Sequence, residues 1–255
     1  MNVLSLFDGM SCGQLALKKA GIYYDTYYAS EIDKYAIKVS SDNFPNIIHL
    51  GDVTQIKAEN LPKIDLLIGG SPCQGFSFAG KQLNFNDPRS ALFFEYVRLL
   101  KELKPKYFLL ENVVMKKEYQ DIITEHLGIE PVRIESSDFS AQKRRQVVFE
   151  KSKKPIRLGA VTKSMGTRVY HESGKSICLS ALGGGWGAKT GLYHDDYCIR
   201  KLSVLECKRL QTVPDDYRME VSNSQAYKML GNGWTVDVVA HILKGIKGKE
   251  DEIRF

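Results

Sequence analysis

Ser71-Pro72-Cys73-Gln74 places a cysteine directly after a proline, just beyond the apolar run Ile64–Ile68 and the pair Gly69-Gly70. Only the thiolate of a cysteine attacks, and a loop near helix termini or cations lowers the thiol pKa from about 8.5. Cys73 is therefore a candidate nucleophile; an inert buried thiol, the usual state of a lone cysteine, is the competing reading. Glu111, followed by Asn112, ends a second apolar run, Tyr107–Leu110, and is either a neighbouring acid or a solvated carboxylate. Taken as a pair, the two point to covalent catalysis assisted by an acid. A third constellation opens the chain, where Asn2–Phe7 runs into Asp8-Gly9-Met10-Ser11-Cys12-Gly13 and Glu31 lies 22 positions past Gly9. Glycines admit a ligand close to the backbone, and a carboxylate about 20 residues on suits a ribose diol. The spacing is not GxGxxG, which disfavours a dinucleotide. A plain tight turn with a surface glutamate fits these residues equally well.

Such residues need a scaffold that brings strand ends together. Apolar runs predict strands over Asn2–Phe7, Thr26–Ser30, Ile47–Leu50, Ile64–Ile68, Tyr107–Leu110 and Val147–Phe149. Helical periodicity covers Gln14–Ala20, Asp33–Asn43, Ser90–Leu103, Glu118–Leu127, Ser203–Leu210 and Thr235–Ile246, with Gly21, Pro45, Pro105 and Gly128 as stops. Strands alternating with helices predict an α/β fold, a doubly wound and mostly parallel sheet with helices on both faces. Ligands of such sheets bind outside the carboxyl ends of the strands. Asp8–Gly13, Glu31, Asp52, Ser71–Gly75 and Glu111-Asn112 all fall there, and a long loop runs from Ser71 to about Pro88. The pattern breaks after Phe149. Ile156–Asp196 is rich in Gly, Ser, Thr and Lys, includes Gly183-Gly184-Gly185-Trp186-Gly187, and predicts a small loop-rich region. The expected division is residues 1–150, 151–198 and 199–255, the last returning to complete the first.

Composition narrows the class. The 255 residues are 43% hydrophobic and 26% charged, which excludes a disordered or collagen-like chain. Five cysteines (Cys12, Cys73, Cys178, Cys198, Cys207) lack CxxC spacing, so reduced thiols and no metal site are expected. No apolar run approaches the roughly 18 residues of a membrane span, and Met1–Ser5 does not open a secretory signal. A cytoplasmic protein with no membrane partner is the expectation. The net charge of +6 permits a polyanionic partner without requiring one.

In order along the chain, several motifs resemble those of the DNA cytosine-5 methyltransferases. They are Phe7-Asp8-Gly9…Gly13, Glu31, Gly51-Asp52-Val53 and Gly70-Ser71-Pro72-Cys73-Gln74-Gly75-Phe76-Ser77. Glu111-Asn112-Val113, Gln142-Lys143-Arg144, Arg200-Lys201-Leu202…Glu206…Arg209-Leu210-Gln211…Pro214-Asp215 and Leu230-Gly231-Asn232 follow. The likeness spans nearly the whole chain except Ile156–Asp196. Its texture is similar to prokaryotic and phage members and to the animal de novo branch.

The resemblance implies a Rossmann-like methyltransferase fold using S-adenosyl-L-methionine on double-stranded DNA. Cys73 would add to carbon 6 of a cytosine, Glu111 would bind ring N3 and the exocyclic amine, and Arg144 would assist. Phe7 would pack on the cofactor adenine, and Asp8, Gly9, Met10, Ser11 and Gly13 would form the turn that cradles the methionine part. Glu31 with Ile32 would take the ribose side and Asp52 with Val53 the adenine edge. Pro72, Leu92, Asn232 and Gly233 would line the remainder. Gln74, Gly75, Ser77 and Lys81 belong to the loop that would close over a flipped base.

Two departures stand out. Gln146 replaces the second arginine of the family's Gln-x-Arg-x-Arg motif, and Gly233 stands where many members have serine. Target recognition would fall to the small region, through Arg168, Lys189 and neighbouring cations on phosphates and Trp186 or Thr190 on bases. A monomer without metal is expected. The rivals are a transfer RNA cytosine-5 methyltransferase, against which the chain lacks a Cys-Phe-Thr signature, and a non-catalytic DNA-binding relative.

Overall fold

A computed structural model describes residues 1–71, 88–113, 115–134, 136–139, 155–162, 165–181, 186–195 and 197–251. The expected strand Val147–Phe149 and most of the loop after Ser71 lie outside the described residues. Contacts divide the chain into two compact units, Met1–Ile134 with Lys244–Phe255, and Glu135–Leu243.

The first unit holds β1 (Asn2–Leu6), α1 (Cys12–Ala20), β2 (Thr26–Ser30), α2 (Lys34–Asn43) and β3 (Ile48–His49). β4 (Leu66–Gly69), α3 (Pro88–Leu103), β5 (Tyr107–Leu110) and α4 (Lys117–Leu127) follow. All five strands are parallel, in the order β3-β2-β1-β4-β5. Strand order reverses between β1 and β4, so right-handed crossovers set α1 and α2 on one face and α3 on the other. The two-residue period then assigns the strand side chains. Leu4, Leu6 and Leu67 pack with Tyr96 and Leu99 of α3 and with Val53 and Ile56 from 3-10 turns after β3. Val3, Ser5, Tyr27, Ala29, Leu66 and Ile68 are buried as well, as a strand covered on both faces requires. Arg98 of α3 secures the same layer, its Nη2 donating to Ile56 O at 3.0 Å.

The element ends follow local chemistry. The Asp33 carboxylate caps α2 by accepting from Tyr35 N at 2.9 Å, so the helix begins one residue later than the expected Asp33. α3 starts at Pro88, two residues before the expected Ser90, with proline at the first helical position. β3 is shorter than the expected Ile47–Leu50, consistent with its place at the sheet edge.

The second unit contains β6 (Arg157–Ala160), β7 (Arg168–His171), β8 (Leu192–His194) and β9 (Ile199–Arg200) in one mixed sheet. The β6–β7 and β8–β9 pairs are antiparallel and β7–β8 is parallel. α5 (Val204–Leu210) opens with a capping box between Ser203 and Glu206. α6 (Asn223–Asn232) has no counterpart among the expected helices. Its flanking Ser and Asn residues and its Gly231 mask the signal, while burial of Ala226, Tyr227, Met229 and Leu230 supplies the drive. α7 (Val236–Asp251) closes the chain. No described helix is long and apolar enough to cross a membrane.

Candidate active site

The turn after β1 holds three residues in the left-handed region. Phe7, Gly9 and Ser11 all have φ +58°. For Phe7 and Ser11 this left-handed conformation costs on the order of 1 kcal/mol each, so surrounding bonds must hold it. Asp8 N donates to Ser30 O at 3.0 Å and Ser11 N to Asp8 O at 3.1 Å. Gly9 N donates to Glu31 Oε2 at 2.8 Å, while Glu31 Oε1 accepts from Ile32 N and Asp33 N at 2.8 Å. The carboxylate predicted to hold a diol thus also laces the end of β1 to the end of β2. Space beside Gly9 is open, since a Cβ there would meet nothing within 4 Å. Ile32 next to it is 75% exposed.

Asp8 is only 9% exposed. Tyr27 from β2 donates to its Oδ1 at 2.7 Å and Ser11 Oγ donates to its Oδ2. Burial pushes the carboxyl up to about 6, against the opposing pull of the hydroxyl hydrogen bonds. The folded protein therefore takes up a proton here before the unfolded chain does. Stability from this group is fully present below the ordinary carboxylate pKa of 3.8 and is lost as pH rises through about 6. Between pH 3 and pH 8 the wild type should lose about 3 kcal/mol relative to Asp8→Asn. Urea melts of both proteins across that range check this; parallel curves would refute it.

β4 and β5, adjacent in the sheet, lead to Ser71 and Glu111. Glu111 N donates to Gly69 O at 2.9 Å, and Asn112 Nδ2 to the buried Ser71 Oγ at 3.2 Å. Ser71 and Glu111 thus follow adjacent strands at one sheet edge. Glu111 is exposed. Asp52 is exposed and accepts from Thr54 N at 2.9 Å through Oδ1. Val53 is buried, and Leu92 packs against the main core. Met10 and Ser11 are buried, so their side chains pack within the turn. Gly13 lies buried in α1. Pro72, Cys73, Gln74, Gly75, Ser77, Lys81, Arg144 and Gln146 are outside the described residues.

In the second unit, a network missing from the sequence reading supports Asn232 and Gly233. Gln211 Nε2 donates to Leu230 O at 2.7 Å and Gly233 O at 3.1 Å, while its Oε1 accepts from Thr235 Oγ1 at 2.8 Å. One amide thereby ties the end of α6 to the start of α7. Arg200 bridges Asp195 and both oxygens of Glu206 at 3.0 Å, which fixes β9 to α5. Lys208, buried, donates to Asp215 O at 2.7 Å and Tyr217 O at 2.8 Å. Gln211, Arg200, Glu206 and Lys208 belong to the motif Arg200–Asp215, whose spacing shows no chemistry by itself because its side chains pair with one another and with backbone carbonyls. Tyr27 was hidden for a similar reason, since a tyrosine in an apolar strand reads as core.

The recognition candidates divide. Trp186 is 55% exposed and Arg168 partly exposed. Lys189 Nζ donates to Ser224 O at 3.2 Å. Thr190 is buried, with Oγ1 donating to Gly191 O at 2.8 Å, so its hydroxyl is turned inward rather than toward a base. Among the described residues, no group of three or more His, Cys, Asp or Glu side chains could hold a metal ion.

Comparison with known proteins places this arrangement. The family model for C-5 cytosine-specific DNA methylases matches residues 1–127 and 118–248. The chain is 30% identical over 312 residues to the type II methyltransferase M.HhaI of Haemophilus parahaemolyticus, spanning 96% of this chain and 94% of that protein. It is 47% identical over 115 residues to the orphan methyltransferase M.SPRI of Bacillus phage SPR, covering 44% of this chain and 26% of that one. Among solved structures, the methyltransferase EhMeth of Entamoeba histolytica shares the fold with a TM-score of 0.73 at 17% identity, over 98% of both chains. A DNMT2 variant of Spodoptera frugiperda gives 0.69 at 18% identity, over 95% of this chain and 98% of that one. The chain therefore belongs to the C-5 cytosine-specific DNA methylase family and is a DNA (cytosine-5-)-methyltransferase.

Proposed function

We propose that the protein methylates carbon 5 of a cytosine turned out of duplex DNA, using S-adenosyl-L-methionine and a covalent adduct on Cys73. The feature that supports this reading is the exit of Ser71, two residues before Cys73 in the sequence, and of Glu111 from the adjacent strands β4 and β5, joined by the Glu111 N to Gly69 O hydrogen bond. The Cys73 thiolate adds to carbon 6, and the ring electrons shift toward carbon 5. Glu111 holds N3 and the exocyclic amine, stabilising the charge that the addition creates. Loss of the carbon 5 proton and expulsion of Cys73 restore the aromatic ring. The base must leave the stack because carbon 6 is inaccessible within a duplex. Arg144 and Gln146 are assigned to the base, and Gln74, Gly75, Ser77 and Lys81 to the loop that covers it.

The residues after β1, β2 and β3 fit the cofactor. Open space beside Gly9, the exposed apolar face of Ile32 and the carboxylates of Glu31 and Asp52 suit a ligand that is aromatic, rich in donors and positively charged. When bound, S-adenosyl-L-methionine supplies the electrophilic methyl group. Phe7 takes the adenine, Gly9–Gly13 the methionine part, Glu31 with Ile32 the ribose side and Asp52 with Val53 the adenine edge. Pro72, Leu92, Asn232 and Gly233 keep the lining role that the resemblance assigns them. Residues 1–150 and 199–255 then form the catalytic part and 151–198 the target reader, with Arg168 and Trp186 its exposed contacts.

Incubation with tritiated S-adenosyl-L-methionine and either mixed-sequence duplex DNA or total transfer RNA tests the substrate. Label should enter DNA and be lost on Glu111→Ala. Label confined to transfer RNA would overturn the assignment, and no label in either would favour a non-catalytic relative.

A further inference from the structure

We propose that Asp8 is a positioning residue: held by Tyr27 and Ser11, its carboxyl sets the left-handed turn over Phe7–Ser11 and thereby the affinity for the adenosyl ligand. The proposal rests on the reading of this turn as the S-adenosyl-L-methionine site and adds how the turn is kept in shape.

Three observations converge on it. Both Asp8 oxygens are engaged inward, Oδ1 by Tyr27 at 2.7 Å and Oδ2 by Ser11 Oγ, so neither is presented to a ligand. The bond to Ser11 closes the four-residue loop Asp8–Ser11, and Phe7 just before it and Ser11 at its end both sit at φ +58°. Ser11 in turn starts α1 by accepting from Gln14 N at 3.1 Å and Leu15 N at 3.3 Å. A shift of Asp8 would therefore move the backbone of Gly9 and Met10 and the first turn of α1 together. Tyr27 belongs to β2, paired with β1 at Val3, so the clamp is referenced to the rigid sheet rather than to the loop itself.

The surroundings explain why the acid is placed there. The titratable groups facing it are Tyr27 of β2, Tyr24 from the turn before β2, and Glu31 at the end of β2. None of these three is a cation, so hydroxyl donors satisfy the carboxyl instead. Tyr24 extends the network by donating to Gln14 Oε1 at 2.6 Å, a second link between α1 and the start of β2. A buried acid of this kind persists where its hydrogen bonds specify one conformation, which is what a strained ligand-binding turn requires.

The test is equilibrium dialysis with tritiated S-adenosyl-L-methionine, paired with steady-state kinetics, on wild type, Asp8→Asn, Asp8→Ala, Tyr27→Phe and the Asp8→Asn/Tyr27→Phe double variant. Asp8→Ala should weaken cofactor binding about tenfold or more, and Tyr27→Phe and Asp8→Asn a few-fold. The kcat at saturating cofactor and the KM for DNA should stay within about twofold. The double variant should lose less than the product of its two single losses, because both act through one hydrogen-bonded unit. Tyr27→Phe removes a single oxygen and keeps the test open where Asp8→Ala does not fold. Unchanged affinity in folded variants overturns the proposal alone, as does a loss confined to kcat. A wild type that binds no cofactor overturns the ligand reading and the proposal with it.

Discussion

Cys73→Ala should abolish methyl transfer, lowering the single-turnover rate by about four orders of magnitude or more, while cofactor affinity should stay near wild type. The size follows from the chemistry. Carbon 5 of an aromatic pyrimidine is a poor nucleophile, and addition of a thiolate at carbon 6 is what activates it. Without the thiolate, positioning and hydrogen bonding from Glu111 remain but have no adduct to stabilise, and effects of groups acting as one unit are lost together. A duplex carrying 5-fluorocytosine gives a second readout. The fluorine cannot leave as a cation, so wild type should remain covalently joined to that duplex in denaturing gels and Cys73→Ala should not. Methyl transfer by Cys73→Ala at more than a few percent of the wild-type rate would rule out the adduct.

Gly231→Ala unfolds or loosens the second unit, by about 3 kcal/mol or more. A Cβ at Gly231 would stand 2.4 Å from Ala181 N and 2.5 Å from the Ser180 carbonyl carbon. Both neighbours are backbone, and Ser180 is fixed by its N–H to Lys189 O at 2.9 Å, so the contact cannot be relieved by a rotamer change. Helix propensity works in the opposite direction, favouring alanine in α6 by about 1 kcal/mol. Overpacking against backbone exceeds that gain. Gly245 in α7 supplies the control, since a Cβ there meets nothing within 4 Å and Gly245→Ala should stabilise by about 0.5–1 kcal/mol. Differential scanning fluorimetry with urea titration separates the two. A Gly231→Ala protein as stable as wild type would mean that α6 and the 180–181 segment move apart at little cost.

The same pair of glycines shows what a sequence can carry. Leu230-Gly231-Asn232 was legible as a motif, yet the reason for its glycine lies 50 residues away at Ala181, where no local pattern points. Asn2–Leu6 and Leu66–Gly69 are different. Their apolar character, the stops around them and the alternating helices are local properties, and a chain of such units has few ways to bury both sheet faces. The parallel sheet and the placement of Asp8–Gly13, Glu31 and Glu111 at its carboxyl edge were determined at that level. So was the family, because ordered motifs survive as letters whatever their contacts.

Only the tertiary structure decided which of those polar side chains are held inward by hydrogen bonds. Asp8 was expected in the cofactor turn, but its hydrogen bond from Tyr27, 19 residues away, depends on β2 lying beside β1. Thr190 has the composition of a base contact and is instead buried against Gly191 O. Gln211 looks like one polar residue in a helix-rich motif and becomes the tie between Leu230, Gly233 and Thr235 once α5, α6 and α7 meet. Periodicity is a property of neighbours along the chain, whereas burial and hydrogen-bond partnership are properties of neighbours in space. The sequence by itself therefore determined the sheet, its carboxyl edge and the family, and the folded chain decided the division of labour among the polar residues.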